Sequence, residues 1–448
     1  PLGPVGYGNS PYQCYSAFAG NPTLIDIKML VEEGLLTDKD IKKKPSFSEK
    51  KVEFQKIETW KYPLLKKAFQ QFKDDTFKRF EKEYTTFIDE NAWWLNDYAL
   101  FMALKKHYDE LSWNEWATGA KFRKEDSLQK MRNELEDEIE FRKFLQFHFF
   151  RQWFKLKEYA NSNGVEIVGD VPLYVSGDSV DVWTNPDIFF LDNELNPIEV
   201  GGVPPDYFSD TGQLWGNPVF NWARLKERDY DWWIARLHFN LKMFDQVRID
   251  HFRGLESFWS VPANENTAIN GKWIPANGHE MLSKMREQIG DLPFIAEDLG
   301  VITPEVEKLR DDFELPGMKV LQFAFTSDAT NQDLPHNYSE NFVVYTGTHD
   351  NDTTLGWLKS VEKEEQKQVR KYFGKRKRAA LLKTIELAYA STALTAILPM
   401  QDVLRLDQKS RMNIPGTPSG NWDWRFEWKQ LKTSQKEFLK ELTEKYNR

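Results

Sequence analysis

The chain has 448 residues, and its formal net charge of −9 gives no electrostatic basis for binding nucleic acid or an anionic membrane. Its single cysteine, Cys14, excludes an internal disulfide, a cysteine-based zinc site and a cysteine redox pair. Aromatic residues make up 15% of the chain, so their rings must either fill cores or serve as platforms for a ligand.

Several common cofactor motifs are missing from the sequence. No apolar run approaches the length of a transmembrane helix, and the histidines show no metalloprotease spacing. Gly6 and Gly8 make a poor dinucleotide motif because Pro11 replaces the third glycine. We therefore expect no cofactor and no metal. The lone cysteine and the lack of a leader before Pro1 predict a reducing, cytoplasmic location, with a plastid as the alternative if a leader has been removed.

The first third of the chain is predicted to be a loop followed by helices. Residues 1–22 are rich in Gly and Pro and indicate a loop, whereas residues 45–162 have helical periodicity. Two apolar stripes carry that periodicity, one from Trp60 to Phe72 and one from Phe141 to Leu156, and Gly164 is a plausible stop. These rings favour a helical core, and the segment is predicted to be an inserted subdomain.

The hydrophobic pattern changes after Gly164, where six short apolar runs alternate with helical stretches. Such continuous apolar strands predict a parallel sheet that is covered on both faces. Thr303 and Pro304 are a good N-cap and first-turn pair for the helix after the third run. The six runs are Val165–Val168, Val247–Ile249, Phe294–Ala296, Val320–Phe325, Phe342–Thr346 and Leu394–Leu398.

Four of these runs finish in a polar and mostly acidic group, at Asp170, Asp250, Glu297 and Asp350. Polar residues at the carboxyl ends of successive parallel strands are typical of an α/β-barrel active site. Residues i and i+2 of a strand share a face, so Arg248 should point the same way as Asp250 and keep it ionised. An ionised Asp and a Glu that holds a proton suit retaining glycoside chemistry.

Each of these motifs is weak when it is taken alone. An acidic residue that ends a strand is more often a helix cap or a member of a surface ion pair. The His349–Asp352 segment could also be a loop for a hard metal ion, although it lacks the Gly and the distal Glu of a calcium loop. The ordered set of acidic strand ends is what favours catalysis.

The ordered set also resembles the 4-α-glucanotransferases known as amylomaltases or disproportionating enzymes, which are related to the α-amylases. The resemblance implies a (β/α)8 TIM barrel with a helical insertion, and retaining transfer of α-1,4-glucan segments without a cofactor. It implies Asp250 as the nucleophile, Glu297 as the acid/base and Asp350 as the transition-state stabiliser. The matching stretches are PLGPVGYGNSPYQCYSAFAGNP, EIVGDVPLYVSGDSVDVW, GGVPPDYFSDTGQLWGNPVFNW, QVRIDHFRG, PFIAEDLG, VVYTGTHDNDTTLGW and RMNIPGTPSGNW.

Helical periodicity and the loops rich in Gly and Pro divide the chain, and the resemblance adds substrate-binding residues. The barrel should comprise residues 1–44 and 163–448, the insertion residues 45–162, and covering loops residues 201–218 and 411–424. The family normally has a strand and a helix before PLGP, so we expect a longer natural protein, while Cys14, where the family usually has Ser, is expected to be neutral and inert. The resemblance implies sugar contacts at Arg248, His349, Asp170, Tyr12 and Gln13 and, at a secondary glucan site, Tyr7. The covering loops add Gln213, Trp215 and Asn413 as candidate substrate-binding residues.

The residues do not by themselves decide which acceptor takes the glycosyl group. Rings in the two covering loops, among them Tyr207, Phe208, Trp215 and Trp422, could exclude water and hold an acceptor sugar, but ordinary loop packing explains any one of them about as well. The resemblance favours a transferase with a maltooligosaccharide donor and acceptor. The alternatives are a retaining α-glucan hydrolase and a non-catalytic glucan-binding protein. Oligomeric state is not predicted.

Overall fold

The structure, a computed structural model, describes residues 1–205, 209–374, 376–417 and 419–448. Tyr207 and Phe208, two of the predicted loop rings, lie outside these described residues. The chain divides into two compact units. Unit 1 comprises Pro1–Ser46, Phe54–Asp250 and Gly254–Pro293, and unit 2 comprises Phe47–Glu53, His251–Arg253 and Phe294–Arg448.

The helical part of unit 1 is built on three long helices, Phe54–Gln71 (α3), Phe77–His107 (α4) and Glu136–Ser162 (α7). Aromatic rings pack between them: the ring centroid of Phe144 on α7 lies 5.5 Å from that of Phe69 on α3. These rings are therefore core, because burying such large apolar surfaces stabilises the packed helices. The other helices of unit 1 are Ile27–Glu32 (α1), Asp38–Ile41 (α2), Thr118–Lys121 (α5), Glu125–Glu134 (α6), Val180–Thr184 (α8), Trp222–Glu227 (α9), Asp231–Met243 (α10) and Gly278–Ile289 (α11).

Unit 1 also contains parallel and antiparallel strand pairs. Val168–Val171 (β1) pairs in parallel with Gln246–Ile249 (β4), and the register places Asp170 opposite Arg248. The carboxyl ends of both strands therefore lie at the same edge, as the sequence predicts. An antiparallel sheet has the order β3-β2-β5-β6, with strands Glu199–Val203 (β2), Gln213–Pro218 (β3), Ser257–Pro262 (β5) and Lys272–Pro275 (β6).

The segment 201–218, which its Gly and Pro content predicts to be a covering loop, contains the end of β2 and the whole of β3. Gly202 pairs with Leu214, and a Cβ atom on Gly202 would lie 2.4 Å from the carbonyl oxygen of Gln213. Only glycine permits such a close approach of two backbones. The glycine that suggested a loop is therefore a requirement of strand pairing.

Unit 2 carries three parallel strands in the order β10-β9-β8, at Gly317–Val320 (β8), Phe342–Tyr345 (β9) and Thr395–Ile397 (β10). Residues Phe294–Ala296 form a further strand (β7). Every residue of β7, β8 and β9 is buried, which is typical of parallel strands with both faces covered. The helices are Pro304–Asp312 (α12), Thr354–Ser360 (α13), Lys363–Phe373 (α14), Lys377–Ala390 (α15), Met400–Val403 (α16) and Thr433–Tyr446 (α17).

Two predicted strands are displaced from their observed positions. The run Val165–Val168 precedes β1, which begins only at Val168, because pairing with β4 buries Val171 while Val165 stays exposed. The run Val320–Phe325 meets β8 only at Val320 and continues into a 3-10 turn at Phe323–Phe325. Thr303 and Pro304 do begin α12, as predicted.

Candidate active site

Arg248 organises the acidic residues of unit 1. Its guanidinium contacts two carboxylates: Nε lies 3.2 Å from Asp170 Oδ1, and Nη2 donates to Asp250 Oδ1. The Arg248 side chain is only 9% exposed, so its positive charge acts with little screening by water. The predicted pairing of Arg248 with Asp250 is confirmed, and the charge favours the ionised Asp250 carboxylate.

Tyr12 and Gln13 bring the N-terminal loop to this part of unit 1. The Tyr12 hydroxyl donates to Asp170 Oδ2 at 2.5 Å, and Gln13 Nε2 donates to Asn217 Oδ1 at 3.3 Å. Burial, followed by the negative charges of Asp170 and Asp250, raises the pKa of Tyr12 well above its ordinary value. Tyr12 therefore stays a neutral hydrogen-bond donor, and Asp170 is held from both sides.

Gln213 and Trp215 lie together on β3. The Trp215 indole Nε1 donates to Gln213 Oε1 at 3.3 Å, and the Trp215 ring centroid lies 6.1 Å from that of Tyr174. The two side chains thus form a polar and aromatic pair on the strand. Tyr7 has its backbone in a short 3-10 turn at Tyr7–Asn9, and its side chain lies outside the described part of the chain.

Glu297 follows β7 in unit 2 and is held by backbone donors. The N–H of His251 donates to Glu297 Oε2 at 2.7 Å, and the N–H of Leu299 is 3.3 Å from Oε1. The N–H of Phe252 donates to the Glu297 carbonyl oxygen at 3.1 Å. His251 has a φ of 53°, in the left-handed region that is uncommon for residues other than Gly, and this conformation is found where surrounding structure demands it.

Asp350 is positioned by the loop that begins at Arg411. Asn413 Nδ2 donates to Asp350 Oδ1 at 2.6 Å, while Arg411 Nη2 donates to the Asp350 carbonyl oxygen at 2.5 Å. His349 Nε2 lies 3.4 Å from Asp350 Oδ2, and the His349 ring centroid is 5.4 Å from that of Trp422. The Asp350 side chain is 46% exposed, so its carboxylate is oriented and still open to a ligand.

A buried carboxylate anchors the segment that carries His349 and Asp350. Asp402 on α16 accepts hydrogen bonds at 2.6 Å from both the Thr346 and the Thr354 hydroxyls, and one at 2.8 Å from the Thr354 N–H. Thr346 precedes the segment and Thr354 follows it, so one side chain fastens both of its ends. A buried carboxylate with three donors satisfies the requirement that buried polar groups be paired.

Comparison with known proteins identifies the family. A family model described as 4-alpha-glucanotransferase matches residues 1–432. The chain belongs to this family. It is 48% identical to the 4-alpha-glucanotransferase of Synechocystis sp. over 100% of the chain and 90% of that protein. It is 47% identical to the 4-alpha-glucanotransferase of Thermus thermophilus over 95% of the chain and 86% of that protein.

A solved structure confirms the fold class of this 4-α-glucanotransferase family member. The amylomaltase from Streptococcus agalactiae in complex with acarbose is 40% identical, with a TM-score of 0.95 over 100% of the chain and 91% of that protein. The chain therefore has the α/β fold of the amylomaltases, as the resemblance implies. Among the described residues there is no group of three or more His, Cys, Asp or Glu that could hold a metal ion, and no helix long and apolar enough to cross a membrane.

Three residues that position the candidate site were not predicted from the sequence. The sequence does indicate a role for Arg411, since a cation two residues before Asn413 in a loop rich in Gly and Pro can bind a nearby carbonyl or carboxylate oxygen. The left-handed backbone of His251 had no such indication, because only the structure shows φ. Asp402 also had none, since nothing in its sequence neighbourhood relates it to Thr346 or Thr354.

His251 should make the enzyme less stable in mild acid. Burial, followed by the charge of Arg253, lowers the pKa of His251 to about 3, below its ordinary value near 6.5. Below about pH 6.5 the unfolded chain binds a proton that the folded chain does not, so unfolding becomes more favourable as the pH falls towards 3. From about pH 7.5 to about pH 5.5 this contributes a loss of about 1.4 kcal/mol.

Urea unfolding of the wild type and of His251→Asn at these two pH values measures that contribution. Asn is chosen because it tolerates a positive φ. Asp181, whose pKa burial raises to about 6, acts in the opposite direction, and the buried His148 acts in the same direction, but both are common to the two proteins. The wild type should lose about 1.4 kcal/mol more than the variant. Equal losses would contradict the assignment.

Proposed function

We propose that the chain catalyses retaining transfer of α-1,4-glucan segments between maltooligosaccharides or starch- and glycogen-derived glucans, with Asp250 as nucleophile, Glu297 as acid/base and Asp350 as transition-state stabiliser. The family membership makes it a glycosyltransferase that acts on α-1,4-glucans. The observation that carries the assignment of roles is the Arg248 guanidinium on Asp250, because an oriented and ionised carboxylate is what a nucleophile requires.

The proposed reaction proceeds in two displacements. Glu297 gives its proton to the glycosidic oxygen as Asp250 attacks the anomeric carbon, so the bond to the leaving glucan breaks and a glycosyl-Asp250 ester forms. In the second step Glu297 removes the proton from the 4-hydroxyl of an acceptor, whose oxygen displaces Asp250 from the anomeric carbon. Asp350 stabilises the positive charge that develops on the sugar in both steps.

The contacts of Glu297 and Asp350 fit these roles. The two backbone N–H groups fix the position of the Glu297 carboxyl group, as an acid/base that acts in both steps requires. Asn413 and Arg411 fix Asp350 without covering it, which suits a residue that stabilises charge. The residues proposed to contact sugar around these carboxylates are Arg248, His349, Asp170, Tyr12, Gln13, Gln213, Trp215, Asn413 and, at a secondary site, Tyr7.

Incubation with maltotriose separates this function from its rivals. A transferase makes glucose and longer chains at a nearly constant number of reducing ends, because each cleavage is matched by a new glycosidic bond. A hydrolase raises the number of reducing ends, since water takes the glycosyl group. A glucan-binding protein without activity gives no product. We expect the first outcome, and either of the others would overturn the proposal.

The proposed cellular compartment rests on the chemistry of the single cysteine. The single cysteine, whose thiol has its pKa raised to about 12 by burial, stays protonated and fits a reducing compartment such as the cytoplasm, with a plastid as the alternative. The proposed partners are the glucan donor and acceptor alone. The net charge of −9 argues against nucleic acid or an anionic membrane as a further partner.

A further inference from the structure

Three aromatic residues, Trp424, Phe426 and Trp428, follow the loop that positions Asp350. We call these three residues the aromatic strip. The Trp424 and Phe426 ring centroids lie 6.0 Å apart with the rings 23° from parallel, and those of Phe426 and Trp428 lie 5.3 Å apart with the rings edge to face at 70°. Trp428 is 78% exposed, and the other two rings are partly exposed. Single exposed rings are ordinary, but three successive contacting rings at a surface are not.

The backbone of the aromatic strip is fixed by pairing within unit 2. Trp424 forms a β-bridge with Lys51, and the Val52 N–H donates to the Asp423 carbonyl oxygen at 2.6 Å. The Arg425 N–H donates to the Lys50 carbonyl oxygen at 3.1 Å. In such extended backbone residues i and i+2 point to the same side, which places Trp424 and Phe426 together. The rings therefore form a preset surface, which binds a ligand without first paying to order a loop.

The aromatic strip is continuous with the candidate active site of unit 2. Trp422, two residues before the strip begins, has its N–H bonded to the Met412 carbonyl oxygen at 2.8 Å and its ring against His349. His349 precedes Asp350 in the chain. The His349 ring contacts Trp422, and from Trp422 a ring occupies every second position of the chain as far as the exposed Trp428.

The chemistry of the strip matches an α-glucan. Each glucose ring has a face of C–H groups that packs on a flat aromatic ring, while its hydroxyls need polar partners.

We propose that the aromatic strip is an outer binding surface for long α-1,4-glucans, which holds sugar units beyond those that a short oligosaccharide can place at the cleavage site. The inference rests on the proposed function, because the ligand is the substrate of that function. None of the three strip residues is among those proposed above to contact sugar. The aromatic strip therefore favours long glucans over short ones, whereas the residues at the cleavage site act on the glycosidic bond.

Removing the exposed ring tests the proposal in the 448-residue chain. Trp428→Ala should weaken retardation in native gels that contain amylose and raise KM for amylose by about fivefold or more, the loss expected for one stacking ring. Its kcat, and both constants for maltotriose, should stay unchanged. Trp428→Tyr, which keeps a flat ring, should retain most of the wild-type binding, and Trp428→Leu, which keeps only apolar area, should not.

The matched control is Trp93→Ala on α4, because Trp93 is also exposed, at 55%, and belongs to neither site. It should leave amylose binding unchanged. If Trp428→Ala binds amylose as the wild type does, or loses affinity for maltotriose equally, the aromatic strip is not a long-chain site. That result is separable from a failure of the proposed function, which would appear as absent or hydrolytic product from maltotriose with the wild-type chain.

Discussion

Replacing Asp250 by Asn should reduce turnover of maltotriose by about three orders of magnitude or more while the protein stays folded. The amide cannot attack the anomeric carbon, so the glycosyl ester cannot form. Asn has nearly the size of Asp, and the Arg248 guanidinium retains Asp170 as a partner, so little structural change is expected. Initial rates and the circular dichroism spectrum of the variant measure the two effects separately.

Two companion variants make the result specific. Asp229→Asn, at an exposed residue that pairs with Lys284, removes a surface carboxylate and should keep normal turnover. Asp250→Gly with added azide should regain cleavage of an activated glycosyl donor, because azide can occupy the space of the missing carboxylate and attack the anomeric carbon itself. The product is then a glycosyl azide of inverted configuration. Near-normal turnover in Asp250→Asn would refute the nucleophile assignment.

Replacing Glu297 by Gln should lower turnover of maltooligosaccharides by about 10²- to 10⁴-fold, which is the usual contribution of a general acid/base. The glutamine keeps the size of the side chain and can still accept the His251 N–H, but it has no proton to transfer to the leaving oxygen. Steady-state kinetics with maltotriose measure the loss. The fold should be preserved, since the N–H contacts are retained.

The leaving group separates an acid/base from a merely structural residue. Fluoride leaves without being protonated, so a maltosyl fluoride donor should still form the glycosyl ester in Glu297→Gln, and mass spectrometry should find that ester on Asp250. Deprotonation of the acceptor is then the slow step. If the variant loses activity equally with maltosyl fluoride and with maltotriose and forms no ester, Glu297 is not the acid/base.

Strand positions could be predicted from the sequence where burial alone decides them. The run Phe294–Ala296 matches β7, and each of its residues is buried. The run Val165–Val168 fails because pairing with β4 decides where β1 begins, and pairing is a long-range property. An apolar run also does not distinguish a strand from a buried 3-10 turn, which explains the error at Phe323–Phe325.

The candidate site also contains some contacts that the sequence predicts and others that it does not. The i, i+2 rule gives the Arg248–Asp250 pair because both residues lie on one strand end. The donors that hold Glu297 and Asp350 come from segments distant in sequence or from backbone conformation, as with Arg411 and the left-handed His251. Sequence pattern therefore finds residues of suitable chemistry, whereas the groups that orient them depend on tertiary contacts.

The anchoring of one segment at both ends by Asp402 has a consequence for motion. Thr346 and Thr354 bond the same carboxylate, so the segment between them, with His349 and Asp350, is tethered to α16 at its start and at its end. Opening one end would leave a buried carboxylate short of a donor, at a cost of about 1–3 kcal/mol. The segment and α16 should therefore open and close together, as one cooperative unit of local unfolding, while each frays little by itself.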